Sequence, residues 1–198
     1  LFAGAQPYAQ YSDAFEIIYT AGGQVARAES VDLVHWKHSD LELPRPSGWA
    51  GWGNRAVLNG SESRRNFLTL YQEVKIKTCS GEVWDLFIYE RRDTYQLVGR
   101  MDLPKPHSCG MTGGITFEVF PAHVKVWYHA ALESGNLPTA VFSVITTDMV
   151  TYHNMTCEVE TPFNHDQAAD PIVAGNKLYY DVDDNTAKRG RIRWASKH

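Results

Sequence analysis

A short cassette, Ala26-Arg-Ala-Glu-Ser-Val-Asp-Leu-Val-His-Trp36, closes one run of strand-like segments and returns further down the chain. It follows an alternating apolar run, Phe15-Glu-Ile-Ile-Tyr19, and leads into Leu41-Glu-Leu-Pro44. The Asp is suited to cap a turn, and the Trp to pack into the next sheet. Weaker copies follow. Lys125-Val-Trp-Tyr-His-Ala130 precedes Ala140-Val-Phe-Ser-Val-Ile145 and then Thr147-Asp-Met-Val-Thr-Tyr152. Lys177-Leu-Tyr-Tyr180 precedes Gly190-Arg-Ile-Arg-Trp-Ala-Ser196. Helical periodicity is absent: no window of about eleven residues holds apolar positions at three and four spacing without a breaker. The chain is therefore expected to be all-β.

A repeat of roughly 40–60 residues made of four short strands has the form of a propeller blade. Pro44-Arg-Pro-Ser-Gly48 and Pro104-Lys-Pro106 punctuate the chain. The approximate blades are 1–46, 47–106, 107–163 and 164–198 of a single propeller domain, with a first inner strand around Pro7 to Tyr11. A β-sandwich accommodates short strands at the same density, and the recurring motif makes it the second choice.

The formal net charge is −4 and the basic residues are scattered, as in the pairs Arg64-Arg65, Arg91-Arg92 and Lys188-Arg189. That pattern argues against a nucleic-acid partner. No apolar run has the length of about eighteen residues needed for a membrane-spanning helix. The chain opens at Leu1 without a Met or a signal-peptide pattern, which reads as a mature or trimmed product. Three cysteines, Cys79, Cys109 and Cys157, permit at most one bridge and leave one thiol over. The sequons Asn59-Gly-Ser61 and Asn154-Met-Thr156 fit a secreted or extracellular protein.

Several of these segments resemble the five-bladed propeller glycoside hydrolases, the invertase and fructosidase family and the arabinanase and β-xylosidase family. Ser30-Val-Asp-Leu-Val-His-Trp36 with Leu43-Pro44 resembles the end of the first fructosidase blade. Trp49-Ala-Gly-Trp-Gly-Asn-Arg-Ala-Val-Leu58 and Phe67-Leu-Thr-Leu-Tyr71 resemble the strands that follow it. Ala169-Asp-Pro-Ile-Val173 with Asn176-Lys-Leu-Tyr-Tyr180 resembles the opening of an arabinanase-type blade. The resemblance implies a five-bladed β-propeller of glycosidase type, carbohydrate as partner, furanose- or pentose-containing glycans as substrates, and no cofactor. The chain departs from the pattern at Phe2-Ala-Gly-Ala-Gln-Pro7, which has no carboxylate where active fructosidases carry their nucleophile. It also lacks a clean Arg-Asp-Pro counterpart around Met111 to Ile115. A glycosidase fold that has lost catalysis and binds glycan or protein is the competing reading. A third has a missing blade supplied by another chain.

Glycoside hydrolysis needs two carboxyl groups facing one sugar. Asp170, held before Pro171 at an expected strand mouth, is the leading catalytic candidate. Glu118 lies seven residues before Lys125, as Asp170 does before Lys177, so an ungapped alignment matches the two. Glu158, in Cys157-Glu158, echoes the family's acid motif in reverse order. Trp49, Trp52, Asn54 and Arg55 are expected to form a substrate-binding rim, with packing between blades as the alternative. Asp32 and Asp148 are read as turn caps. His35, His38 and His165 have no metal-ligand spacing, and Asp181-Val-Asp-Asp-Asn185 lacks the Gly and Glu of a calcium loop, so it is read as a hydrated turn.

Overall fold

A computed structural model describes residues 8–11, 14–59, 68–79, 81–91, 94–160, 166–184 and 189–197. These residues form fifteen strands: β1 (Tyr8–Tyr11), β2 (Ala14–Ala21), β3 (Gln24–Ser30), β4 (Lys37–Asp40), β5 (Trp49–Asn59), β6 (Leu68–Thr78), β7 (Gly81–Arg91), β8 (Tyr95–Arg100), β9 (Thr112–Val119), β10 (Val124–Ala131), β11 (Thr139–Thr146), β12 (His153–Val159), β13 (Asp166–Ala174), β14 (Lys177–Asp184) and β15 (Arg189–Ser196). They are grouped as consecutive antiparallel meanders, β1–β4, β5–β8, β9–β12 and β13–β15. The third and fourth join through one parallel pairing, Thr139 opposite Gln167. The first strands of successive meanders, β1, β5, β9 and β13, contact one another in order. This is a propeller arrangement rather than the Greek-key connectivity of a sandwich.

The cassette is reproduced nearly atom for atom in two blades. The Ser30 hydroxyl accepts from Leu33 N–H, and Asp32 accepts from Val34 and His35 N–H at 2.9 and 2.8 Å. Thr146 accepts from Met149 N–H, and Asp148 accepts from Val150 and Thr151 N–H at 2.9 and 2.7 Å. Leu33 and Met149 take the same left-handed backbone, φ 63° and 60°. The Trp36 indole then donates to Leu33 O, and the Tyr152 hydroxyl to Met149 O. Hydrogen bonds to the ionised carboxylate hold Asp148 down at about 2 and Asp32 lower still. Both are turn caps, as their spacing predicts.

The middle strands of the second and third blades, β6, β7, β10 and β11, are buried on both faces, which explains why they are near-continuously apolar rather than cleanly alternating. On β10, Val126, Tyr128 and Ala130 pack toward Tyr71 and Leu86 of the second blade, while Trp127 packs with Ala168 and Leu178 of the fourth. On β6, Leu70, Val74 and Ile76 face Ile18 and Val25 of the first blade, while Tyr71 faces the third. Polar side chains at such positions are consequently forced into the seams between blades.

Cys79, just beyond β6, is bridged to Cys109 in the connection that leads into β9. Cys157 is the free thiol, exposed on β12. Asp181 to Asp184 belong to β14 and pair with Ile192 to Arg189, so this stretch is a strand and not the hydrated turn that its acidic run predicts. The alternation Asp181-Val182-Asp183 is strand periodicity, which the acidic residues disguise.

Candidate functional site

Each inner strand after β1 carries a bulge at the same depth. The β5–β6 register slips between Trp52 and Arg55, the β9–β10 register around Gly113 and Thr116, and the β13–β14 register between Ala169 and Ile172. A bulge bends the strand and re-aims its side chains. At these three bulges lie Gly53, Gly113 with Gly114, and Asp170 with Pro171. Gly114 has φ +44° and Asp170 φ +48°, left-handed conformations that are rare for a non-glycine residue.

The glycines leave room for side chains from the second strands. Glu73 of β6 reaches between the inner strands of the second and third blades. A Cβ at Gly53 would stand 2.2 Å from its Oε2, and a Cβ at Gly113 1.9 Å from its Oε1. Gln72, fully buried, donates to the Gly53 carbonyl at 2.9 Å, and Thr20 donates to the same carbonyl at 3.1 Å, fixing the bulge beside Glu73. His129 of β10 sits one seam further on. Its Nε2 is 4.0 Å from Glu73 Oε1, and its Nδ1 is 3.8 Å from Asp170 Oδ1.

The protonation state of this histidine follows from its contacts. Asp170 N–H donates to Nδ1 at 3.1 Å, so that nitrogen is the acceptor and the proton resides on Nε2, facing Glu73. Burial pushes the imidazole below its ordinary value, with the Asp170 charge opposing. Protonation would in addition break the Asp170 backbone bond. Glu73 and His129 are almost wholly enclosed, whereas the Asp170 side chain is 28% exposed and is the member that meets solvent. Two carboxyl groups thus flank one neutral imidazole, a span that the ring and its two contacts cap at about 10 Å.

A pH dependence follows. The unfolded side chain titrates near 6.5, and the folded one lower. Between those values the unfolded state binds the extra proton, so stability is fully present above about pH 6.5 and falls as pH drops below it, by at most about 1.4 kcal/mol per pH unit. Denaturation midpoints measured from pH 7.5 to 5 are expected to show that decline and His129→Gln to lack it.

Asp170 lies inside β13 and not at a strand mouth. Glu118 is four residues beyond Gly114 on β9, about 13 Å along the strand, and is ion-paired with Lys197. The register puts Gly114 at the counterpart of Asp170. The β9–β10 hairpin is longer than the β13–β14 hairpin by two residues in the turn, four against two, and by one paired position on each strand, which undoes the equal spacing in sequence. Glu158 is on the outermost strand, accepting from Ser143 Oγ at 2.6 Å with Lys125 Nζ at 3.1 Å. Neither glutamate is brought to Asp170. Trp52 is buried against Tyr89, with Trp49 tilted on it at 5.5 Å and Arg45 over the Trp49 ring at 4.2 Å. The side chains of Asn54 and Arg55, the segment Phe2–Pro7 and His165 lie outside the described residues. Among the described residues no group of three or more His, Cys, Asp or Glu is spaced to hold a metal ion.

No family model and no curated protein matches the chain by sequence. Solved structures do. BT0996, solved as a complex with RGII, superposes with TM-score 0.71 at 14% identity over 96% of this chain and 64% of its own length. A thermostable family-43 glycoside hydrolase gives 0.66 at 10% identity over 91% and 64%. The Penicillium chrysogenum α-L-arabinanase complexed with arabinobiose gives 0.60 at 11% over 93% and 60%. The chain therefore spans just under two thirds of the length of these structures. Its fold is that of the propeller glycoside hydrolases.

Proposed function

We propose that the chain is a glycoside hydrolase-like propeller acting on furanose- or pentose-containing glycans, with Asp170 and Glu73 as its working carboxyl pair. The observation that carries this reading is the placement of two carboxyl groups on the two nitrogens of one buried imidazole, at the bulges of the inner strands. Glycosidases of both stereochemical outcomes keep their carboxyl pair within about 5–9.5 Å. A base that activates water must meet water, and Asp170 is the exposed member. Glu73, enclosed between Gly53 and Gly113, takes the role of proton donor. In the hydrolytic step water attacks the anomeric carbon as the glycosidic C–O bond breaks. Asp170 receives the water proton, and Glu73 gives its own to the leaving oxygen. His129 is a positioning residue, fixing the Asp170 backbone through its Nδ1 and standing between the two carboxyl groups. The disulfide and the exposed Asn154 sequon support an oxidising, extracellular setting.

Reducing-sugar release from arabinans, xylans and fructans tests the pair. Asp170→Asn and Glu73→Gln are each expected to lower turnover by about 10²–10⁴-fold, the range for removing a general acid or base. Wild-type turnover in Asp170→Asn would overturn the assignment. A second reading, a propeller that binds glycan without cleaving it, is favoured by the absence of a carboxylate in Phe2–Pro7. Saturable glycan binding with no turnover on any substrate would select it.

A further inference from the structure

Between the first and second blades lies a cavity of about 550 Å³, on the opposite face of β5 from Glu73. Its volume is within the range of small-ligand sites, about 300–1,000 Å³. The floor is apolar, made by Val25 and Leu43 with an edge of the buried Trp52. The rim is charged, carrying the exposed Asp40, Glu42 and Arg45. The side chains of these three make no ion pair or hydrogen bond with a described residue. The Arg45 head group lies over the Trp49 face at 4.2 Å. Elsewhere charged groups pair freely, as in Arg27 with Glu29 and Lys75 with Glu82.

We propose that this cavity is a second carbohydrate subsite, which takes a neutral glycosyl unit of the glycan handled at the Asp170–Glu73 pair. The lining selects that class of ligand. A uronate would face Asp40 and Glu42, and an amine would face Arg45. A neutral polyol satisfies both, donating its hydroxyls to the carboxylates while accepting from the guanidinium, with its C–H face on the apolar floor. Trp52 and Gly53 are adjacent on β5 and point to opposite faces. The cavity and the Glu73 carboxylate thus lie on either side of β5, the edge strand of its sheet, and one oligosaccharide engages both by passing round that edge. The proposal rests on the glycan reading for its choice of ligand and not on catalysis.

Isothermal titration of the full chain with arabino-, xylo- and fructo-oligosaccharides tests it, using Arg45→Ala and Glu42→Gln, both at exposed positions, beside Asp170→Asn. The expected result is saturable binding by wild type, weakened about tenfold or more by Arg45→Ala and by Glu42→Gln, and retained in Asp170→Asn. Absence of binding to every oligosaccharide would overturn the subsite. So would binding that Arg45→Ala and Glu42→Gln leave unchanged, or that only Asp170→Asn abolishes. Binding that follows Arg45 and Glu42 in a protein without turnover would uphold the subsite while the catalytic pair fails. Turnover that depends on Asp170, with binding indifferent to Arg45 and Glu42, would do the reverse.

Discussion

Gly113→Ala is expected to expel Glu73 from its place between the inner strands and to destabilise the protein by about 1–3 kcal/mol, the usual cost of overpacking. The added methyl would stand 1.9 Å from Glu73 Oε1 and 2.9 Å from His129 Nε2, separations that no rotamer of the methyl relieves. Gly114→Ala should be worse. Its Cβ would meet Asp170 Oδ1 at 2.4 Å, His129 Nδ1 at 2.5 Å and the Asp170 Cα at 2.8 Å, and its φ of +44° adds about 1–2 kcal/mol of left-handed strain. The two substitutions separate by rescue. Removing the carboxylate opens the space that the Gly113 methyl needs, so Glu73→Ala combined with Gly113→Ala should be more stable than the sum of the singles by about 1 kcal/mol or more. Glu73→Ala should not rescue Gly114→Ala, whose obstruction is Asp170 and backbone. A double-mutant cycle from urea denaturation reads this coupling directly. An additive cycle would show that Glu73 does not occupy the notch.

The second large effect lies away from the site. Asp85→Ala is expected to cost about 3–5 kcal/mol, the range for breaking a buried ion pair from one side. Asp85 of β7 is 1% exposed and is ion-paired with Arg100 of β8, with Lys105 Nζ at 3.5 Å and the Thr112 hydroxyl donating at 2.6 Å. One carboxylate thereby ties the second blade to the connection and first strand of the third. Arg100 is 43% exposed and can rehydrate when its partner is lost, which pulls the cost toward the lower end. Lys105, 13% exposed, cannot do so without moving. Asp85→Asn retains an acceptor for Thr112 and should be milder. Equal chemical-denaturation midpoints for wild type and Asp85→Ala would refute the assignment.

The candidate site was legible only in part. Asp170 announces itself, because an Asp-Pro step within an apolar run is a local signal. Glu73 does not. Gln72-Glu73-Val74 reads as an ordinary polar position on a strand, and the glycines that accommodate its carboxylate are twenty and forty residues away in sequence. The signal available was the glycine pattern, Trp52-Gly53 and Gly113-Gly114, because a glycine inside a strand marks a bulge or a close approach. His129 is hidden in the same way, within Tyr128-His129-Ala130, a run whose neighbours are core. Glu118 and Glu158 stand out as carboxylates in the right composition, yet lysines claim both.

By itself the sequence determined the all-β class, the four-strand repeat and the capped turns at Asp32 and Asp148. Each is fixed by interactions within a few residues: period-two alternation, a left-handed residue after the Asp, and hydrogen bonds that close within the turn. Only the tertiary structure decided which polar residues share a seam. The middle strands of the second and third blades are buried on both faces, so a side chain's neighbour there is set by the next blade rather than by its own strand. The register of that blade depends on turn lengths and bulges, the four-residue β9–β10 turn against the two-residue β13–β14 turn. A bulge shifts a carboxylate from one seam to another while leaving the sequence pattern almost unchanged, which is why Asp170 meets His129 and Glu118 does not.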